Sequence, residues 1–176
     1  LATTRLQQKR YPEALALYQE VREIFTQLGE PRSVAVVWHQ IARCYEEAGQ
    51  LDRAESAYRE SLAIRVREGD LAGQASSLGQ LGNLYDAMRR PEDAVALYQQ
   101  AATICQRLGD LAGEGRSQSN LASTLIALKR YAEARRALER AVECDRPFGH
   151  AAQPWKTWAL LSNLEIATGQ PEAAQA

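Results

Sequence analysis

The sequence predicts an all-α protein, an α-solenoid in which antiparallel helix pairs stack in a row, and three observations support this prediction. One is a glycine ladder with a spacing of 40 residues: Gly29, Gly69, Gly109 and Gly149. Another is an alanine ladder with the same spacing: Ala14, Ala54, Ala94, Ala134 and Ala174. The last is helical periodicity inside each period, without the alternation that marks a β-strand. A fixed period of about 20 to 50 residues is typical of solenoids, whose units share one continuous core.

Each period is predicted to hold two helices. Its apolar residues fall in two stretches with steps of three and four, first Trp38, Ile41, Ala42 and Tyr45, then Leu51, Ala54, Tyr58 and Leu62. This spacing places each set on one helix face. Because the tyrosines at this position recur at Tyr18, Tyr58 and Tyr98, we expect them in the core between paired helices.

Residues at the predicted helix ends fit their positions. Gly49 separates the two helices of its unit, where a left-handed residue ends the first helix, and Arg89 and Lys129 occupy the same column. Pro91 suits the first turn of a second helix, because its missing N–H costs little there. Asp70 and Asp110 follow the glycine ladder and are predicted to cap the next helix.

The repeat register divides the chain into one array of three complete units, 30–69, 70–109 and 110–149, flanked by partial units at 1–29 and 150–176. The words Leu-Ala-Thr-Thr at residues 1–4 and Leu-Ala-Ser-Thr at residues 121–124 stand three periods apart. The alignment therefore predicts that the chain begins midway through a first helix. We expect it to be a piece of a longer protein, whose uncapped ends favour self-association.

The signature residues resemble those of the tetratricopeptide repeat family. Trp38, Ile41, Ala42, Tyr45, Ala54 and Tyr58 reproduce the spacing W-x2-L-G-x2-Y followed by A-x3-F. The period of 40 residues is longer than the usual unit of about 34. In this it is similar to the repeats of kinesin light chain, the LGN/Pins adaptors and bacterial signalling arrays. The resemblance implies a right-handed superhelix and a role as an adaptor that holds peptide segments of other proteins.

Composition argues against several classes of function. Lys plus Arg total 21 against 22 for Asp plus Glu, so no strong field attracts nucleic acid or an anionic membrane. Apolar runs such as residues 34–38 are far shorter than the roughly 20 residues needed to cross a bilayer. The three cysteines are scattered, which favours a reducing, cytoplasmic setting.

No catalytic or metal-binding constellation is recognisable, so we predict no enzyme, no cofactor and no metal. The only histidines, His39 and His150, lack further ligands at known spacing. The repeated words at 69–73 and 109–113 contain paired glycines, but no strand precedes them and no Gly-Lys-Ser/Thr follows, which argues against a phosphate loop. Cys44 and Cys144 share columns with aliphatic residues and are predicted to be buried, whereas the variable column of Cys105 predicts the most reachable thiol.

Binding is the predicted function, in a concave groove lined by the first helices. His39 points to the concave side. It is interpreted either as a ligand contact or, more simply, as a solvated imidazole. The run Arg135, Arg136 and Arg140 is interpreted as a solvated basic face. The first-helix residues that point away from the core, and are predicted to line the groove, include His39, Arg43, Glu46, Asn83, Asp86, Arg116, Lys156 and Asn163.

The resemblance adds that the column of Asn83 and Asn163 matches a concave asparagine whose amide pairs with a ligand backbone. Carboxylates toward the N-terminal side favour a basic ligand segment at that end. The leading hypothesis is a non-enzymatic scaffold that binds a protein or peptide, within a larger regulatory protein. The alternative is a structural or regulatory arm that packs on another domain of its own chain or self-assembles.

Overall fold

A computed structural model describes residues 2–148 and 155–168, and these residues form helices and contain no β-strand. The helices, in chain order, are α1 (Ala2–Gln7), α2 (Tyr11–Gln27), α3 (Pro31–Glu47), α4 (Leu51–Arg67), α5 (Leu71–Ala87), α6 (Pro91–Leu108), α7 (Leu111–Ala127), α8 (Tyr131–Asp145) and α9 (Trp155–Thr168). The predicted class, all-α with consecutive helix pairs, is confirmed.

The chain divides into two compact units between Leu84 and Tyr85. In the first unit α1 packs on α2, α2 on α3 and α3 on α4. In the second unit α6 packs on α7, α7 on α8, and α9 on both α7 and α8. Corresponding helices start 40 residues apart, as α2 does at Tyr11 and α4 at Leu51. The sequence period is therefore also the structural period.

The helix ends follow the predicted chemistry. The backbone N–H of Gly73 donates to Asp70 Oδ1 at 2.9 Å, and that of Gly113 donates to Asp110 Oδ1 at 2.9 Å. Both predicted N-caps are confirmed. The four ladder and linker glycines in the described residues have φ angles of 65 to 74°, the left-handed conformation that ends a helix at little cost: Gly29, Gly49, Gly69 and Gly109. Gly149 lies outside the described residues.

The caps also explain why glycine recurs at Gly73 and Gly113. A Cβ at either position would collide with the carboxylate of the capping aspartate, and at Gly73 it would lie 2.8 Å from Arg65 Cδ. The aspartate thus occupies the end of the helix where an anion would otherwise bind. The aspartate of the repeated Gly-Asp-Leu-Ala-Gly word is the predicted cap, and the structure adds the reason for the second glycine.

The core contains the motif residues that the sequence placed there. Tyr58 is 0% exposed and Tyr98 is 2% exposed, so the tyrosine column is buried as predicted. Cys44 and Cys144 are also buried, as predicted. In the first unit Phe25 and Trp38 pack against a cluster of Val34, Ala35 and Ile64. The cluster of the second unit runs from Tyr85 on α5 to Leu164 on α9.

The prediction for Cys105 is wrong, because this thiol is only 4% exposed. Its Sγ lies 2.8 Å from the place where a Cβ on Gly113 would stand, so it packs under the first turn of α7. Arg65 of the same column is 8% exposed, and Phe25 and Asp145 are half-buried. A column with variable residues is therefore not an exposed column here.

Candidate functional site

In the first unit, three of the predicted groove residues lie on α3, and two of them are connected through Tyr58 of α4. The edge of the His39 ring meets the Tyr58 ring, with centroids 5.3 Å apart and an interplanar angle of 71°. The Tyr58 hydroxyl donates a hydrogen bond to Glu46 Oε2 at 2.8 Å. Arg43 pairs with Glu47 one turn further along the helix, at 3.5 Å. His39 and Glu46 therefore have fixed positions, whereas Arg43 has only a surface partner.

His39 is half-buried, so the expectation of a solvated imidazole is wrong. Burial lowers the pKa of His39 from 6.5 to about 4, and the nearby cations Arg65 and Arg43 add to this effect. The ring is neutral at pH 7 as a result. Its buried Nδ1 atom has no hydrogen-bond partner in the part of the chain that the structure describes.

In the second unit Asp86 connects three helices. Its Oδ2 atom accepts hydrogen bonds from the Tyr98 hydroxyl of α6 at 3.1 Å and from Thr124 Oγ1 of α7 at 2.8 Å. Burial, and then the charge of Asp86, raise the pKa of the Tyr98 phenol above its ordinary value. Burial followed by Glu46 has the same effect on the pKa of Tyr58. Both phenols remain protonated donors across the physiological range.

These tyrosine hydroxyls are functional groups that the sequence reasoning missed, although a signal was present. The signature has phenylalanine at this position, and this chain has tyrosine at Tyr58 and Tyr98. A buried phenol needs an acceptor. Residues Glu46 and Asp86 stand 12 positions before their tyrosines and provide it. Nothing in the pattern identified Thr124.

The remaining predicted residues have different surroundings. Arg116 is exposed on α7 and has no ion-pair partner within the described residues. Asn83 is half-buried, and its Nδ2 donates to Gln80 Oε1 at 3.4 Å. Lys156 and Asn163 belong to α9, but their side chains lie outside what the structure describes.

The basic run on α8 is not simply a solvated face. Arg140 donates from Nε and Nη2 to the two carboxylate oxygens of Glu114, at 2.7 and 3.0 Å. Arg135 donates to Glu165 Oε1 at 2.8 Å. Both carboxylates are buried, with side-chain exposures of 3% and 5%. Two arginines of the run thus neutralise buried charges, and Arg136 alone keeps the predicted character of a solvated cation.

The described residues contain neither a candidate metal site nor a candidate membrane-spanning helix. Over 2–148 and 155–168, no group of three or more His, Cys, Asp or Glu residues is arranged to hold a metal ion. Within the same ranges, no helix is long and apolar enough to cross a membrane.

Comparison with protein families gives a direct result. A family model described as tetratricopeptide repeat matches residues 1–66, 33–107 and 73–146, three overlapping segments that together cover most of the chain. The chain belongs to the tetratricopeptide repeat family. The resemblance inferred from the signature residues is confirmed, and so is the solenoid fold class that it implies.

Solved structures of other proteins share this fold at low sequence identity. BtubC (BKLC) from P. vanneervenii is 22% identical, with a TM-score of 0.91 over 99% of this chain and 73% of that one. The nearly identical TPR-like repeats of a kinesin light chain candidate from Podosopora anserina are 24% identical to this chain, with a TM-score of 0.78 over 99% and 87% of the two chains. Aspartyl phosphate phosphatase F from Bacillus subtilis is 14% identical, with a TM-score of 0.85 over 98% and 45%. No curated protein matches the sequence.

Proposed function

We propose that this tetratricopeptide chain is a non-catalytic scaffold that binds a peptide segment of another protein on the exposed faces of its first helices. The observation that supports the proposal is that two arginines on those helices are exposed and have no buried ion-pair partner among the described residues. Arg116 is exposed without an ion pair among the described residues, and Arg43 has only the exposed pair with Glu47. An exposed pair of this kind contributes about 0 to 1 kcal/mol, so neither guanidinium is needed for the fold.

Two carboxylates of the first helices favour binding because they are held in place before a ligand arrives. Glu46 and Asp86 each have one oxygen fixed by a buried tyrosine, and Asp86 also accepts from Thr124. Fixing a polar group in advance reduces the entropy lost on binding. The second oxygen of each carboxylate is not engaged by these tyrosines.

These groups indicate the chemistry of the ligand. Arginine pairs with carboxylates through two parallel hydrogen bonds, so Arg43 and Arg116 favour acidic side chains. The fixed carboxylates favour a basic residue, in agreement with the preference proposed from the sequence. Val36, which is 52% exposed on the same helix as Arg43, adds an apolar contact. We propose an extended segment of mixed charge with at least one apolar side chain. The amides of Asn83 and Asn163, and the ammonium group of Lys156, would supply further polar contacts.

The proposal is tested with Arg43→Ala and Arg116→Ala as separate variants, so that the contribution of each unit is measured alone. Arg107→Ala is the matched control, because Arg107 is exposed on α6, a second helix. All three variants should keep the free energy of unfolding within about 0.5 kcal/mol of the parent. Partners recovered by affinity purification with the intact protein should be reduced by the two first-helix variants and not by the control.

Full recovery of every partner by both first-helix variants would contradict the scaffold proposal. The alternative, an arm that packs on its own protein or self-assembles, then gives the better account. Trp158 and Ile166 of α9 are 58% and 71% exposed and are the natural contacts of such an arm. Sedimentation over a wide concentration range distinguishes self-assembly from packing within one chain.

We further propose that the protein works in a reducing, cytoplasmic setting. Its three cysteines are free and buried, and none is paired in a disulfide. Free cysteines that act as small core residues are typical of proteins in such a compartment.

A further inference from the structure

A surface cavity lies in the first unit, where the ends of α2 and α4 meet the start of α3. We propose that this cavity is a binding site for a small aromatic molecule without net charge. It uses residues other than those of the proposed first-helix surface, so the inference does not depend on that function.

The walls of the cavity are apolar, and its volume is about 290 Å³. They are formed by Phe25 of α2, Pro31 and Val34 of α3, and Ile64 of α4. Val34 and Ile64 are buried, and the half-buried Phe25 packs against their cluster. An apolar cavity of about 150 Å³ holds benzene, whereas drug-sized ligands need about 300 Å³ or more. The size of this cavity therefore fits a molecule of one ring or of two fused rings.

The fold does not require apolar side chains on these walls. One period of 40 residues later, Arg65 and Gln74 take the places of Phe25 and Val34. Arg65 Nη1 donates to the backbone oxygen of Gly73 at 2.6 Å, and Gln74 Nε2 donates to the backbone oxygen of Arg65 at 3.2 Å. Polar side chains at these positions are thus compatible with the repeat. The apolar surface of the cavity is a property of this one repeat.

The rim of the cavity is open to solvent, and its charges balance. Thr26, Glu30 and Arg67 are exposed at the rim, so a ligand can enter without the movement of a helix. The rim also contains Glu68, whose Oε2 atom lies 3.9 Å from Arg32 Nε. Two carboxylates therefore stand beside two guanidinium groups. Because neither sign is in excess, the rim favours a ligand without net charge.

Two groups of the cavity favour an aromatic ring over a saturated one. The ring of Phe25 can contact a second ring edge to face or in an offset stack. The Arg67 guanidinium makes no hydrogen bond or ion pair within the described part of the chain, and a cation is attracted to the face of an aromatic ring. The same unit already contains such a contact, since the Arg22 guanidinium lies 4.7 Å from the centroid of the Trp38 ring.

Titration of the full chain with indole, an uncharged molecule of two fused rings, tests the proposal. Binding is followed by NMR through the methyl signals of Val34 and Ile64, with buried Val95 of the second unit as the internal reference. We expect the first two signals to shift to saturation, with a dissociation constant below about 1 mM. The Val95 signal should not shift.

The preference for an aromatic ring is tested with phenol and cyclohexanol, which match in size and in their hydroxyl group. Phenol should bind at least about threefold more tightly than cyclohexanol. Arg67→Ala should reduce this difference, because it removes the cation at the rim. Equal affinities of the parent chain for the two molecules would contradict the assignment to an aromatic ligand.

Two variants change the cavity itself. Phe25→Arg combined with Val34→Gln introduces the residues that the next repeat has at these positions, and should weaken indole binding at least about tenfold. Thr26→Trp covers the case in which this double variant does not fold. Thr26 is exposed, and a large side chain there fills the mouth of the cavity, so the loss should be similar. Gln27→Trp is the matched control and should bind as the parent does, because Gln27 is exposed on α2 and does not line the cavity.

Several results would overturn the proposal. One is a set of shifts that do not saturate, or that saturate at Leu121 of the second unit and not at Val34. Another is normal binding of indole by the folded double variant or by Thr26→Trp. Loss of binding in Gln27→Trp would place the ligand elsewhere on α2 and would also overturn it.

Discussion

Replacing Arg140 with methionine isolates a buried negative charge. The Glu114 side chain is 3% exposed, and both of its oxygens accept hydrogen bonds from Arg140, at 2.7 and 3.0 Å. Methionine keeps most of the aliphatic stem of arginine but removes every donor. The carboxylate would then remain inside the second unit without its cation.

The expected cost follows from the exposure of the two partners. Breaking a fully buried ion pair costs about 3 to 5 kcal/mol, because the remaining charge stays desolvated. The Arg140 side chain is 36% exposed, so water reaches the gap from that side and reduces the penalty. We expect Arg140→Met to lower the free energy of unfolding by about 2 to 3 kcal/mol. Combining it with Glu114→Gln removes the charge as well and should recover at least about 1 kcal/mol of this loss.

Urea denaturation followed by circular dichroism measures these differences. Arg136→Met is the control, since Arg136 is one turn earlier on α8 and exposed, and it should change stability by no more than about 0.5 kcal/mol. If Arg140→Met costs as little as the control, the pair with Glu114 is only a surface contact. The same conclusion would follow if the double variant were as unstable as the sum of the single changes.

Four further predictions concern the core, the pH response, the helix ends and the thiols. Tyr98→Ala should cost about 3 kcal/mol because it leaves a cavity, and Tyr98→Phe about 1 kcal/mol because it removes the donor to Asp86, both measured by denaturation. The pKa of His39 is lowered from 6.5 to about 4 in the fold, so the unfolded chain binds more protons between these values. Stability should therefore fall by about 2 kcal/mol as pH decreases from 6.5 to 4, and His39→Gln should flatten the denaturation profile over that window. Arg89→Gly and Lys129→Gly should each raise the free energy of unfolding by about 0.5 kcal/mol, because both residues have φ near 60°. Each variant should therefore melt at a higher temperature than the parent. Cys105, which is 4% exposed, should react with a thiol reagent no faster than unfolding permits, and rapid labelling would contradict its placement under α7.

The fold was predictable because its determinants are local and repeated. Steps of three and four specify helices, and left-handed glycines and capping aspartates specify where they end. The period specifies which helices are equivalent. Asp70 and Asp110 carry out in the structure the role that their position after the glycine ladder predicted.

The candidate site was less predictable because its contacts join residues on different helices. The helical wheel placed Glu46 and Asp86 on a first-helix face, but it did not show that buried tyrosine hydroxyls reach them. It did not pair Arg140 with Glu114 across 26 positions in the sequence. His39 was assigned to a face by the same wheel, but its burial depends on Tyr58 of the next helix.

The buried columns of this repeat are of two kinds. One holds only alanine, and the other holds both apolar and charged side chains. The alanine ladder is 0% exposed at Ala14, Ala54, Ala94 and Ala134, where a larger side chain would separate the helices. The column of Val34 also contains Glu114, which is equally inside but needs a cation on a neighbouring helix. A polar residue in such a column costs stability unless its partner is present. The change from Val34 to Glu114 therefore requires Arg140, whose guanidinium donates to both oxygens of the buried carboxylate.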